Sequence, residues 1–195
     1  MIPNQRRSFE IPRETTWLTH QSVREAQIDS LMQSWLLEKG LLTERLRGLC
    51  GAHFRLEVLH GPSIGWDSLA PTNSPTATNG FKREVVMWCD DKPCIYANTS
   101  VSESTASMHP WLRTLGTEPL GERLHSLADV TRSDFEFTCV QGGDTAVHSL
   151  GKSSVTGELW ARRSRFAIQS DELTVIEVFL PGLVACEGRH SRREK

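Results

Sequence analysis

The chain has 195 residues, 24% of them charged, and a formal net charge of −2, a length that suits one domain able to bury its own core without metal or disulfide support. That charge balance carries no basic footprint for nucleic acid or an anionic membrane surface. No apolar run approaches the ~18 residues of a membrane span, and the opening "MIPNQRRSFEIPRETTW" lacks the apolar centre of a secretory signal; the reading is a cytosolic, monomeric protein with a small-molecule partner.

In chain order, residues 1–27 read as a flexible tail ahead of a domain spanning 28–183, with a basic tail at 184–195. Within Val23 to Lys39, Ile28, Leu31, Met32, Trp35 and Leu36 recur at helical spacing, which predicts one amphipathic helix stopped at Gly40. Thr43 is placed to cap a second, short helix through "ERLRGLC", ending at Gly51. "HFRLEVLH" alternates as a half-exposed strand. The segment from Gly61 to Gly80 is rich in Gly, Pro, Ser, Thr and Asn and too long for an ordinary turn, which predicts a mobile loop. "KREVVMWC" and "PCIYANTSV", joined by "DDK", predict an antiparallel hairpin. Met108 to Leu127 turns helical, with Pro110 suited to a first turn and "LGTEPLGERL" interrupting. "DFEFTCVQ", "ELWARRSRFAI" and "ELTVIEVFLP" complete a sheet of about six mostly antiparallel strands, an α+β fold.

Five cysteines, Cys50, Cys89, Cys94, Cys139 and Cys186, are odd in number and form no CxxC pair, so neither a zinc site nor a disulfide framework is indicated. Cys89 and Cys94 flank the predicted hairpin turn and would face each other across it, but a reducing compartment favours free thiols. "GKSS" at Gly151 resembles the end of a phosphate loop, yet the required glycine five positions earlier is Ala146. The seven histidines do not fall at metal-ligand spacing, and no nucleophile elbow is present. The adjacent Arg162 and Arg163 must point to opposite faces of a strand, one of them inward, where a structural ion pair is expected.

In "LTVIEVFLP" successive side chains face opposite ways, so Leu173, Val175, Glu177 and Phe179 share one face and Thr174, Ile176, Val178 and Leu180 the other. Both faces are mostly apolar, which places the strand inside. A carboxylate there must be paired, protonated or used, because an uncompensated buried charge costs several kcal/mol. Arg83 is in phase with Val85, Met87 and Cys89, as Glu177 is with Val175 and Phe179, so both are expected on the same covered side. Either they neutralise one another, or they line a pocket in which Arg83 grips an anion, a carboxylate suiting its planar fork, and Glu177 meets a donor.

"REVVM" at 83–87, "LGTEPLG" at 115–121, "WARRS" at 160–164 and "EVFLP" at 177–181, in that order, together with "WLLEKGLLTERLR" at 35–47, resemble the chorismate lyase (chorismate pyruvate-lyase) family over roughly Asp29 to Pro181. The resemblance implies an antiparallel sheet with helices over one face and an enclosed ligand pocket. It also implies a cofactor-free, metal-free enzyme that converts chorismate to 4-hydroxybenzoate and pyruvate, the first committed step of ubiquinone synthesis. Carried over residue by residue, Arg83 stands where the family's arginine grips the ring carboxylate and Glu177 where its glutamate meets the ring hydroxyl. Leu120 is the leucine of the backbone contacts, and Leu42 the methionine or leucine at the helix start.

One position departs from the pattern. Where the family carries an arginine, "YANTSVS" has Asn98, which leaves the second carboxylate of chorismate without its expected cation unless Arg162 or Arg165 serves; on this reading Asn98→Arg would raise turnover. Two other readings share the fold: the effector-binding domain of a bacterial transcription regulator, for which the residues ahead of the first predicted helix are too few to form a DNA-binding domain, and a lyase-like protein that merely retains an aromatic acid.

Overall fold

The computed structural model describes residues 11, 14–60, 80–141 and 157–193; the loop expected at Gly61 to Gly80 therefore lies outside the described residues, except for Gly80. All six predicted strands are present: β1 (Phe54–His60), β2 (Gly80–Cys89), β3 (Lys92–Ser102), β5 (Glu136–Gln141), β6 (Glu158–Ile168) and β7 (Asp171–Phe179). The seventh, β4 (Val130–Arg132), is too short for a periodic signal and lies along the same strand, β6, as β5 does. The sheet runs β1-β2-β3-β7-β6-β4 with β5 beside β6, and every pairing is antiparallel. The β2–β3 turn places Asp90 at φ 57°, a left-handed conformation that Asp tolerates better than most residues.

Register decides what meets what. One cross-strand row reads Val85–Ala97–Glu177–Arg162, and the next row on that face Arg83–Thr99–Val175–Ser164. The opposite face carries Val86, Tyr96, Ile176, Val178, Leu159 and Ala161, packed with Ile11 and Trp17. Helices cover the first face. On one side α1 (His20–Glu25), α2 (Ser30–Leu36), α3 (Leu42–Cys50) and α7 (Pro181–Arg193) bury Trp35, Leu36, Leu46 and Leu183 against Ile95 and Phe179. Full burial of one such side chain contributes about 1.5–3 kcal/mol. On the other, α4 (Glu103–Met108), α5 (Trp111–Thr114) and α6 (Leu120–His125) pack Leu112 and Leu124 over Phe81, Val101 and Leu173.

Several expectations are corrected. The single helix over Val23–Lys39 is two, because Thr19 and Asp29 each cap a start: the Asp29 carboxylate accepts from Leu31 N at 2.9 Å, and Ala26 between them is extended. The second helix stops at Leu36, before Gly40, because its last carbonyls are taken by a side chain described below. Thr43 does not cap; it is the second residue of α3, buried, with its hydroxyl 3.9 Å from Met87 Sδ.

Packing also extends past the boundaries expected at 28 and 183. Ile11 is buried, Leu18 pairs with Phe137, and α7 continues to Arg193 with Leu183 and Cys186 in the core. Gly182 lets α7 start there, since a Cβ would overlap the Pro93 carbonyl. Cys89 and Cys50, both expected as free thiols, are joined in a disulfide at the end of α3 with Cα atoms 5.5 Å apart, whereas Cys94, across the hairpin turn, stays a thiol. Cys94 is the extra residue of a bulge between the Trp88–Pro93 and Met87–Ile95 pairs, and its sulfur lies 3.8 Å from that of Cys186. Among the described residues no helix is long and apolar enough to cross a membrane.

Candidate active site

Where the two apolar clusters meet, a cavity of about 500 Å³ opens between sheet and helices. Its floor is the two rows above: Val85, Ala97 and Glu177 with Arg162, then Arg83, Val175 and Ser164. The small Ala97 leaves room between Arg83 on β2 and Glu177 on β7, which stand in adjacent rows two strands apart, roughly 12 Å between their backbones. The starts of α3 and α6 form the opposite wall and bring Leu42 and Leu120 to the cavity. Neither helix has a side-chain cap, so the N–H groups of their first turns lack the usual partner. The four residues singled out from the sequence, Leu42, Arg83, Leu120 and Glu177, thus line one cavity.

Arg83 and Glu177 do not neutralise each other. Arg83, 5% exposed, is held by Nη2, which donates to Gly116 O at 2.8 Å and Glu118 O at 2.9 Å. Gly116 presents its carbonyl from φ 54°, a conformation that favours glycine. Burial pulls the Arg83 pKa down to about 10, partly offset by Glu118, so it stays charged at neutral pH. Among the described residues its Nε and Nη1 have no partner.

Glu177 is paired with its cross-strand neighbour Arg162, whose Nε donates to Oε2 at 2.6 Å; among the described residues nothing hydrogen-bonds Oε1. Arg162 is 2% exposed and held on several sides: Nη1 donates to Leu36 O at 3.0 Å, at the end of α2, and to Glu38 O at 2.6 Å, just past it, and the guanidinium lies 4.0 Å from the Phe135 ring centroid. This is the side chain that ends α2 early. Its neighbour Arg163 points to the other face and makes a two-pronged ion pair with Glu136, at 2.8 and 3.0 Å, which holds the Glu136 carboxyl below the usual carboxylate range. The structural ion pair expected of the inward arginine is that of Arg162 with Glu177; Arg163 makes a second one on the outer face.

Asn98 is not in the cavity. It is 1% exposed on the opposite face, directly across from Glu84 and beside Tyr96, whose hydroxyl donates to Glu84; Lys82 Nζ lies 3.8 Å from the same carboxylate. A cation at position 98 would enter that cluster, where Lys82 already stands. The gain in turnover expected of Asn98→Arg is therefore withdrawn: kcat/KM on chorismate is expected not to rise, and steady-state kinetics of the variant would check it. Arg165 also faces away, toward Glu136 and Glu172.

The residue that sequence reasoning missed is Arg132, on the unpredicted strand β4. It lines the cavity beside Arg162, and Nη2 donates to Lys39 O at 2.9 Å. Burial and the charge of Arg162 lower its pKa, with Glu177 opposing. The signal was faint: "DVTRS" carries neither periodicity nor turn chemistry. Among the described residues no group of three or more His, Cys, Asp or Glu side chains is placed to hold a metal ion.

Comparison with known proteins gives the cavity a context. The family model described as chorismate lyase matches residues 11–188. The chain is 37% identical over 158 residues to a probable chorismate pyruvate-lyase of Ralstonia nicotianae, covering 76% of this chain and 80% of that one. It is 33% identical over 178 residues to one of Halorhodospira halophila, covering 87% and 92%. Among solved structures, the C-terminal domain of the histidine utilization repressor from Pseudomonas syringae is similar at 14% identity with a TM-score of 0.46, over 66% of this chain and 92% of that one. A family match across nearly the whole folded span, with the relatives' identity and coverage, settles the membership: the chain belongs to the chorismate lyase family.

Proposed function

We propose that the chain eliminates pyruvate from chorismate to give 4-hydroxybenzoate, the first committed step of ubiquinone biosynthesis, in this cavity and without a cofactor. The observation that carries the reading is the placement of a buried guanidinium with unused donors, Arg83, across a small-residue floor from a carboxylate with an unused oxygen, Glu177. A six-membered ring with a carboxylate at one end and a hydroxyl para to it answers both. Arg83 takes the ring carboxylate, Glu177 Oε1 accepts from the C4 hydroxyl, and Leu42 and Leu120 close over the ring.

The chemistry asks little of the side chains. Loss of the C4 hydrogen together with the C3 ether makes the ring aromatic, which drives the reaction. The enolpyruvyl methylene can take that hydrogen in a cyclic transition state and leave as pyruvate. Catalysis then rests on holding the reactive conformer and on dipoles already fixed around the shifting charge. Glu177, locked by Arg162, is suited to orienting the hydroxyl.

Incubation with chorismate is expected to release pyruvate and 4-hydroxybenzoate in equal amounts, unaffected by chelator. A strict metal requirement would overturn the cofactor-free part, and tight 4-hydroxybenzoate binding with no turnover would make the chain a binding protein. Glu177→Gln separates orientation from proton abstraction. The amide can still accept from Arg162 and bond the hydroxyl, so kcat is expected to fall about tenfold, the lower range of a general acid–base contribution being ~100-fold. Near-complete loss in a folded variant would assign Glu177 as the base.

A further inference from the structure

The inner wall of the cavity does not match the charge of the substrate assigned above. Arg83 and Arg162 are cations and Glu177 an anion, so the buried set carries one net positive charge, enough for a monocarboxylate. Chorismate has a second carboxylate on its enolpyruvyl arm, attached next to the carbon that bears the hydroxyl. With the hydroxyl on Glu177, that arm lies at the Glu177–Arg162 end, away from Arg83. Arg162 is set against Glu177 and held by two main-chain carbonyls and the Phe135 ring, so among the described residues only its Nη2 is left without a partner.

Arg132 is at that end. Its guanidinium lies 4.4 Å from the centroid of the same Phe135 ring that Arg162 covers, and β4 sets it beside Phe166 of β6, another cavity residue. One nitrogen is anchored on Lys39 O; among the described residues Nε and Nη1 have no partner. The side chain is exposed, at the rim rather than the floor. The other exposed rim charges, Lys39 and Glu44, are of opposite sign. We propose that Arg132, anchored on the α2–α3 linker and stacked on Phe135, takes the carboxylate of the enolpyruvyl arm and makes the cavity select a dianion over a monoanion.

The inference rests on the chorismate reading, and two stable probes keep the two apart: 4-hydroxybenzoate, with one carboxylate, and 3-(carboxymethoxy)-4-hydroxybenzoate, which adds an acidic arm beside the hydroxyl. In calorimetry on the full chain, Arg132→Ala is expected to weaken the dicarboxylate about fivefold, the upper scale of an ion pair at an exposed site, and to leave 4-hydroxybenzoate within about twofold. Arg132→Lys is expected to recover part of the loss, and in chorismate kinetics Arg132→Ala should raise KM more than it lowers kcat. Equal losses for both probes, or none for either, in a variant that melts with the parent would overturn the role of Arg132 while chorismate turnover by the parent left the activity standing. A dicarboxylate preference that depends on Arg132, in a chain that does not turn chorismate over, would keep this inference and sink the activity. Binding of neither probe to the parent would overturn both.

Discussion

Arg162→Ala is expected to destabilise the fold by about 3–5 kcal/mol, the cost of removing one partner from a buried ion pair. The side chain joins three things at once: the β7 carboxylate of Glu177, the two carbonyls ending α2, and the Phe135 ring. Alanine leaves Glu177 charged beside an apolar wall and orphans two main-chain acceptors. Arg162→Lys should recover little, because a compact ammonium cannot bridge a carboxylate on the sheet and carbonyls on the helix layer together. Urea unfolding with linear extrapolation measures it. The double variant Arg162→Ala, Glu177→Ala is expected to be less damaged than the sum of the singles, since the stranded carboxylate goes as well. An unchanged midpoint in Arg162→Ala would show that the pair is solvated and that the α2 terminus holds itself.

The fold was legible where a pattern is local. Strand alternation located six strands, and phase alone put Arg83 and Glu177 on one face, since parity along a strand survives any error in its ends. Parity likewise split Arg162 from Arg163. What phase cannot supply is register: the partner of Glu177 is Arg162 because Ala97 and Val178 set that pairing across β3 and β6. The misread helix starts had a local cause as well: the apolar spacing ran through Asp29, whose carboxylate in fact starts α2, while Thr43, placed like a cap, is buried inside α3. The disulfide between Cys50 and Cys89 joins residues 39 apart, beyond any spacing rule. Asn98 shows the limit of carrying over a family position. Its place in the sequence suggested the ligand, while its parity with Tyr96, already visible in "YANTS", placed it on the opposite face from Ala97.

A carboxylate in an apolar strand has to be paired, protonated or used. Of the three choices, Glu177 is paired, but through one oxygen, and the pairing is what makes the other usable. A lone glutamate at this position would have no partner to fix its direction. One locked by Arg162 is held in place and presents an acceptor of fixed direction, which is the property an orienting residue needs.

Arg83→Met is expected to show the converse behaviour, a large loss of ligand with little loss of fold. Arg83 is 5% exposed with two carbonyls as partners, and burial draws its pKa down to about 10, the mark of a cation that is poorly solvated where it sits. Methionine keeps the stem and removes that cost, but it strands the carbonyls of Gly116 and Glu118. The two effects oppose, and the net change in stability is expected to lie within about 1 kcal/mol, the scale of one ordinary hydrogen bond. Binding has no such compensation. A bound carboxylate would complete the unused donors of Arg83 in a site shielded from water, and a charged hydrogen bond of that kind contributes about 1.5–3 kcal/mol. The dissociation constant for 4-hydroxybenzoate is therefore expected to rise roughly ten- to 150-fold, with kcat/KM on chorismate falling at least as far. Arg83→Lys should sit between, because an ammonium restores the charge but not the planar fork held between Gly116 and Glu118. Calorimetry and thermal melts on the same samples separate the two quantities. A variant that binds 4-hydroxybenzoate as the parent does, or one that loses ligand and fold in proportion, would mean that Arg83 serves the β2–α6 packing and that the ring carboxylate is gripped by another group.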